Sequence, residues 1–261
     1  MFTENSRRHF GCANLRKCAT LMVLIFLSAT ARPAYALGGA FFDDLTFYDT
    51  TRWFKSNATT NGDPFNVGWR DDHIYFNGAG NMVLQLDDVP CPAGCSTRPY
   101  ASGEYQSVDT YGYGKFATRM KAASGDGLVT SFFTYTGTAG SPDHDEIDIE
   151  ILGKDPWSMQ INYFVGGVGG HEVTIPLGFD ASAGYHNYGF IWTANEIKWY
   201  VDGVLVHTET ANPAAGKLLP SLPGKIMANL WAGTGVDVWL NPFVYSGTPI
   251  HAKYDWIRYL P

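Results

Sequence analysis

Glu146, Asp148 and Glu150 stand two residues apart, with Ile147, Ile149 and Ile151 interleaved, in the run Asp143-His144-Asp145-Glu146-Ile147-Asp148-Ile149-Glu150-Ile151-Leu152-Gly153. A period of two is the β pattern, so one face of a single strand carries a row of carboxylates and the other a row of isoleucines. Sheets are poor in Asp and Glu, and like charges at neighbouring same-face positions repel. An ordinary solvated face over an isoleucine core would mix its acids with Thr, Lys, Ser and Gln. Undiluted acids point to chemistry, and two carboxylates flanking a scissile bond are the minimal machinery of glycoside hydrolysis. A retaining enzyme needs them about 5 to 5.5 Å apart, whereas positions i and i+4 on a flat strand are about 13 Å apart. Sheet curvature and inward-leaning Glu side chains must close that gap, which puts the row on a concave face. Carboxylates this crowded cannot all ionise at their solution values, so at least one is expected to hold its proton near neutrality and serve as an acid.

The elements that must carry this strand are legible around it. Short alternating or aromatic-rich runs recur at Ile74 to Phe76, Met82 to Leu86, Gly114 to Met120, Leu128 to Tyr135 and Met159 to Phe164. They continue at Tyr185 to Trp192, Ile197 to Val201, Val204 to Thr208, Lys225 to Leu230 and Ala252 to Tyr259. Gly, Asn and Asp separate them, and Asp202-Gly203 reads as a type I′ hairpin turn. No stretch keeps a helical period for three turns. The expectation is all-β, a sandwich of two antiparallel sheets. Aromatic residues are 15% of the chain, and most must fill that sandwich, Trp192, Trp199 and Tyr200 by default as packing or rim residues.

Residues 1–36 read as a signal peptide rather than part of the fold: Arg7, Arg8, Arg16 and Lys17 precede an apolar run from Leu21 to Ala29, and Ala34-Tyr35-Ala36 is a small-x-small cleavage site. The expected product is secreted, extracellular or periplasmic, with 37–261 as a single catalytic domain, since no linker or repeat divides it. Removing Arg7, Arg8, Arg16, Lys17, Arg32 and Glu4 from 18 basic and 25 acidic residues leaves 13 and 24, a net charge of −11. Nucleic acid and anionic membranes are therefore excluded as partners, while a neutral polysaccharide is not. Cys91 and Cys95 could close a small loop by a disulfide in an oxidising compartment; a C-x3-C metal site has no accompanying ligands.

The run Glu146 to Glu150 resembles the catalytic signature of glycoside hydrolase family 16, in the form shared by bacterial lichenases and xyloglucan-active relatives. Ser131 to Gly137, Gly153-Lys154-Asp155, Gly166 to Glu172, Leu177 to Ser182, Ile197 to Gly203 and Asn229-Leu230-Trp231 extend the resemblance, in order, from about Gly38 to Tyr259. It implies a concanavalin-like jelly roll with a concave glycan cleft and a retaining endo-β-glucanase acting on β-1,4 bonds of mixed-linkage β-1,3-1,4-glucans. Xyloglucan hydrolysis or transglycosylation on the same machinery is the alternative, and a non-catalytic glycan-binding jelly roll is a third. Carried over by position, Glu146 is the nucleophile, Glu150 the acid/base and Asp148 their electrostatic helper. Phe133, Tyr135, Asn229 and Trp231 are implied sugar platforms and hydroxyl partners, with Asn61, Glu104, Asn162 and Trp239 as further sugar contacts.

Departures from the pattern bear on substrate choice. Gln106 stands for an Arg, Phe164 and Thr59 for Tyr, and His144, read as a subsite or supporting residue, for a Trp. The disulfide common among lichenases would fall at Val67 and Ser102 and is absent. The resemblance also implies no cofactor for catalysis, a structural calcium at Asp44, Gly80 and Asp255, a β-glucan substrate and a monomer.

Overall fold

Strands form where β-branched and aromatic residues alternate with polar ones, and they stop where Gly, Asn or Asp lets the chain reverse. The computed structural model describes residues 37–91, 95 and 97–261, so the expected leader at 1–36 lies outside the described residues. Two large antiparallel sheets pack face to face. The first runs, edge to edge, through Val173–Pro176, Ser158–Phe164, Asp145–Leu152, Leu128–Thr136, Lys225–Ala232, Glu104–Ser107 and Trp53–Lys55. The second runs through Val204–Thr210, Glu196–Val201, His186–Trp192, Gly114–Lys121, Ile250–Leu260, Met82–Leu86 and Ile74–Phe76, with Phe41–Asp43 also paired to Ile250–Leu260. This is the all-β jelly-roll sandwich that the strand pattern and the resemblance imply.

All ten strands read from the sequence are present, several longer by a residue or two. The reading missed the short ones: Phe41–Asp43, Trp53–Lys55, Val67–Trp69, Tyr100–Ser102, Glu104–Ser107 and Val173–Pro176. Three or four residues display little period; Ile74–Phe76, equally short, was read from its aromatic and β-branched residues. The pairing of Val67–Trp69 with Tyr100–Ser102 is parallel and belongs to neither large sheet. Asp202 and Gly203 have φ of 47° and 81°, as a type I′ turn requires. Among the described residues the one α-helix is the single turn Asp237–Leu240, which carries Trp239.

The catalytic-type strand Asp145–Leu152 is central in its sheet, between Leu128–Thr136 and Ser158–Phe164. Its inward residues Ile147, Ile149 and Ile151 are fully buried in the common core with Phe132, Ile161, Phe190 and Trp199. Burying such a side chain contributes about 1.5–3 kcal/mol. Two hydrogen bonds stitch the sheets through that core: Trp199 Nε1 donates to the Asp148 carbonyl at 3.2 Å, and Tyr254 Oη donates to the Ser131 carbonyl at 2.7 Å.

Cys91 and Cys95 are joined as a disulfide, with Cα atoms 5.7 Å apart. The bridge packs on Gly68, where a Cβ would stand 2.5 Å from Cys91 Sγ. Val67 is core, and Ser102 Oγ donates to the Leu230 and Gln85 carbonyls at 2.5 and 3.1 Å. The local disulfide thus braces the ladder that holds Val67 and Ser102.

Candidate active site

Because the first sheet is in register, its outward residues form rows that cross the strands. One row is Phe164, Glu146, Tyr135 and Lys225; the next is Asn162, Asp148, Phe133, Met227 and Gln106. A third is Gln160, Glu150, Ser131, Asn229 and Glu104, and beyond it Trp231 lies opposite Val129. All of these except Val129 line a cleft of about 1360 Å³. Small-molecule pockets hold roughly 300–1,000 Å³, so this one has room for several sugar rings.

The three carboxylates differ in their partners. Glu146 Oε2 lies 2.7 Å from His144 Nε2, and the Asp148 carboxyl also bonds Glu146. Burial first, then the charges of Glu146 and Glu150, push the Asp148 carboxyl well above its ordinary value, and it is hydrogen-bonded to Glu146. Burial, then the charge of Glu146, pushes Glu150 up to about 8, against which Gln160 donates Nε2 to Glu150 Oε2 at 3.2 Å. Glu150 and Asp148, two residues apart, thus both favour their protonated forms, and Asp148 in turn touches Glu146. Crowding leads one to expect at least one retained proton, and burial adds to it at both Glu150 and Asp148.

The other expected contact residues gather in the same cleft. Glu104, 3% exposed, accepts from Ser56 Oγ (2.8 Å), Asn61 Nδ2 (3.1 Å) and Asn229 Nδ2 (3.4 Å). Burial raises its carboxyl, and these donors pull it back. Asn61 Oδ1 takes Trp69 Nε1 at 2.9 Å. Asn162 donates to Glu172 Oε1 at 3.3 Å and accepts the His171 N–H at 3.1 Å. Phe133, Asn229 and Trp231 line the floor but are buried, and Trp231 is wedged between Phe65 and Trp239, with ring centroids at 4.4 and 5.8 Å. Phe133 and Trp231 line the cleft where the resemblance has them, with little of either ring exposed. Tyr135 and Trp239 are half-buried and offer more.

His144 is buried beside the row, its ring between Tyr135 (4.8 Å) and Phe164 (5.0 Å). Gln106 and Phe164 also line the cleft, so three of the four departures fall at this end or next to it. Thr59 does not line it: its carbonyl takes the Trp69 N–H at 2.7 Å, which makes it a sheet-edge residue.

Sequence reasoning missed Gln160, Ser131, Met227, Lys225, Phe65 and Glu172. Gln160 is the most consequential, since it bonds Glu150 and accepts from Trp239 Nε1 at 2.9 Å. Its signal was present, because it shares strand parity with Asn162. Asp145 was unassigned as well; it is buried and accepts from the backbone N–H groups of Gly166, Ser221 and Leu222 at 2.7–3.0 Å, anchoring the start of the strand.

Away from the cleft, Asp255 pairs with Arg119, whose guanidinium lies 5.2 Å from the Tyr185 ring centroid, and Tyr185 Oη donates to Asn81 Oδ1 at 2.8 Å. The turns of Asp44 and Gly80 meet there, a Cβ on Gly80 standing 4.0 Å from Thr46 Cγ2. Asp44 itself is exposed and accepts from Thr46. Among the described residues no three His, Cys, Asp or Glu side chains cluster as metal ligands.

Comparison with known proteins adds an independent line. The family model described as glycosyl hydrolases family 16 matches residues 61–258. A beta-glucanase of Paenibacillus macerans is 44% identical over 245 residues, covering 94% of this chain and 98% of that protein. The solved Bacillus licheniformis beta-glucanase superposes with a TM-score of 0.77 at 46% identity, over 87% of this chain and all of that one. A beta-1,3-1,4-glucanase (lichenase) from a mouse hindgut metagenome gives 0.77 at 42% identity, over 86% and 100%.

Proposed function

The chain belongs to glycosyl hydrolases family 16, and on that premise we propose that it is a retaining endo-β-glucanase cleaving β-1,4 bonds that follow a β-1,3-linked glucose in mixed-linkage β-1,3-1,4-glucan. The observation that carries this is the difference between the two glutamates of one strand: burial pushes Glu150 up to about 8, while Glu146, four positions before it, is held by His144 and Asp148. Glu146 attacks the anomeric carbon, the bond from that carbon to the leaving oxygen breaks, and Glu150 gives its proton to that oxygen. Glu150, now a carboxylate, takes a proton from water, which attacks the same carbon and frees Glu146. Two inversions return the β configuration. Asp148 steadies Glu146 through a hydrogen bond and adds no charge while it stays protonated.

Glu104, Asn61, Asn162 and Asn229 supply donors and acceptors for sugar hydroxyls, and Tyr135, Phe133, Trp231 and Trp239 supply apolar surface for ring C–H faces. The His144 end lacks an Arg and a Tyr hydroxyl of the family pattern, each missing bond weakening binding by about 0.5–1.5 kcal/mol. A higher Michaelis constant than that of relatives carrying those groups is the expected result.

No cofactor takes part in catalysis. A structural calcium would need the Asp255 carboxylate, which is paired with Arg119, to turn to it together with backbone carbonyls at Asp44 and Gly80, oxygen donors of the kind it prefers, and would contribute stability only. The same proposal has residues 1–36 removed on export and 37–261 working as one monomeric domain, checked by amino-terminal sequencing and sedimentation of the secreted product.

Incubation with lichenan, barley glucan, laminarin and xyloglucan, with product linkage and configuration read by NMR, tests the function. Fastest release from lichenan and barley glucan with retained configuration is expected. Faster release from xyloglucan or laminarin would overturn the substrate assignment.

A further inference from the structure

His144 is 3% exposed, yet both of its ring nitrogens have polar partners. The Gly140 N–H points at Nδ1 from 3.3 Å. Only an unprotonated nitrogen accepts that donor, so the neutral ring that satisfies it carries its hydrogen on Nε2. Nε2 lies 2.7 Å from Oε2 of Glu146, and the hydrogen is therefore donated to that carboxylate. Tyr135 and Phe164 fix the plane of the ring.

The backbone beneath it is fixed as well. His144 N–H donates to the Ser141 carbonyl at 3.0 Å, and its own carbonyl accepts from Gly167 N–H at 2.8 Å. Gly167, at φ of 81°, presses on the loop that supplies the Gly140 donor, since a Cβ there would meet the Gly140 carbonyl carbon at 2.5 Å. Two loops, at 137–143 and 165–168, thus close on each other around His144.

A glutamate carboxylate turns with broad two-fold freedom about its last torsion. Attack on an anomeric carbon needs an oxygen lone pair aimed along one line, and misaimed orientations are unproductive. We propose that His144 is the positioning residue for Glu146: its Nε2–H holds Oε2 and sets the plane of the carboxylate, and Gly140 sets the tautomer that makes this donation possible. The inference rests on Glu146 being the nucleophile. A ring present for packing alone would be replaced by Phe without loss.

The test uses a 2-deoxy-2-fluoro-β-glycoside with a dinitrophenolate leaving group, which labels a nucleophile without needing an acid. Maximal labelling rate and half-saturating concentration are measured for the wild type, His144→Phe and His144→Gln, with the labelled peptide identified by mass spectrometry. The Gln Nε2 reaches the place of the ring Nε2. Losing one hydrogen bond to a charged group should slow maximal labelling in His144→Phe on the order of 10- to 100-fold, with half-saturation within about 3-fold. His144→Gln should recover to within about 5-fold of the wild type. A His144→Phe protein that labels at the wild-type rate overturns the proposal, as does a His144→Gln protein as slow as His144→Phe. Should His144→Phe not fold, His144→Met provides the donor-less comparison. Label on a residue other than Glu146 in the wild type would instead remove the nucleophile assignment, an outcome separate from any change of rate.

Discussion

The two faces of the strand Asp145–Leu152 differ in almost every physical respect. Inward, Ile147, Ile149 and Ile151 have no exposure and meet Thr134, Phe132 and Thr130 on one side and Tyr163 and Ile161 on the other. Outward, Glu146, Asp148 and Glu150 meet Tyr135, Phe133 and Ser131, and Phe164, Asn162 and Gln160. The inward face binds the strand by burial that is indifferent to charge. The outward face repels itself, and that repulsion is tolerated because the backbone beneath cannot move. Burial, with crowding added to it, then becomes useful: it raises Asp148 and Glu150 above the values of free carboxylic acids. The contrast implies that outward substitutions change rate far more than stability, apart from the pH-dependent part that buried acids contribute, and that inward ones do the reverse.

The strongest challenge is Glu146→Gln. Turnover of barley glucan should fall at least ~10³-fold, about 4 kcal/mol of transition-state stabilisation, with the melting temperature unchanged. A folded variant of near-normal activity would remove the outward face from the chemistry. Next is Glu150→Ala, expected to lose roughly 10²–10⁴-fold on polysaccharide yet still accept substrates with good leaving groups. Added azide should then restore turnover and yield a β-glycosyl azide; rescue in Glu146→Ala instead would exchange the two roles.

On the inward face, Ile149→Ala should lose about 2–5 kcal/mol of stability in urea unfolding, with kcat per folded molecule unchanged. A rate loss larger than the stability loss explains would show that the faces are not independent.

A pH series sharpens the comparison further. Glu150 titrates at about 8 in the folded protein against an ordinary 4.5. Between those values the folded state holds a proton that the unfolded state has released, so stability falls as pH rises through that window. Activity should fall as pH rises through about 8, where the acid is lost. Glu150→Gln should melt higher than the wild type at pH 8 and above, the two converging near pH 4; equal melting at both ends would contradict the burial argument. The smallest effect is expected from Trp199→Phe, which removes the bond from the second sheet to the Asp148 carbonyl. About 1–3 kcal/mol of stability should go, from the lost bond and the buried ring volume removed, with little change in rate.

Period, turn chemistry and acid spacing were enough to read the sandwich, ten of its strands and the carboxylate row, because each is local along the chain. Asp202-Gly203 is one such case: two residues that tolerate positive φ already specify the turn. Short strands such as Glu104–Ser107 escaped, since four residues carry little period, and with them went the pairing that brings Glu104 opposite Asn229. Gln160 escaped differently. Its parity was readable, but its role depends on lying opposite Glu150 across a strand pair, which is a property of register.

By itself the sequence determined which residues could carry charge, which face of each strand they occupy, and that an alternating strand of acids and isoleucines must lie between a core and a cleft. The tertiary structure decided which acid keeps its proton, that His144 donates to Glu146 rather than to a sugar, and that Trp231 is wedged instead of open. Burial and hydrogen bonding set all three, and both depend on atoms brought together from strands far apart in the chain, such as Phe65 against Trp231 and Ser56 against Glu104.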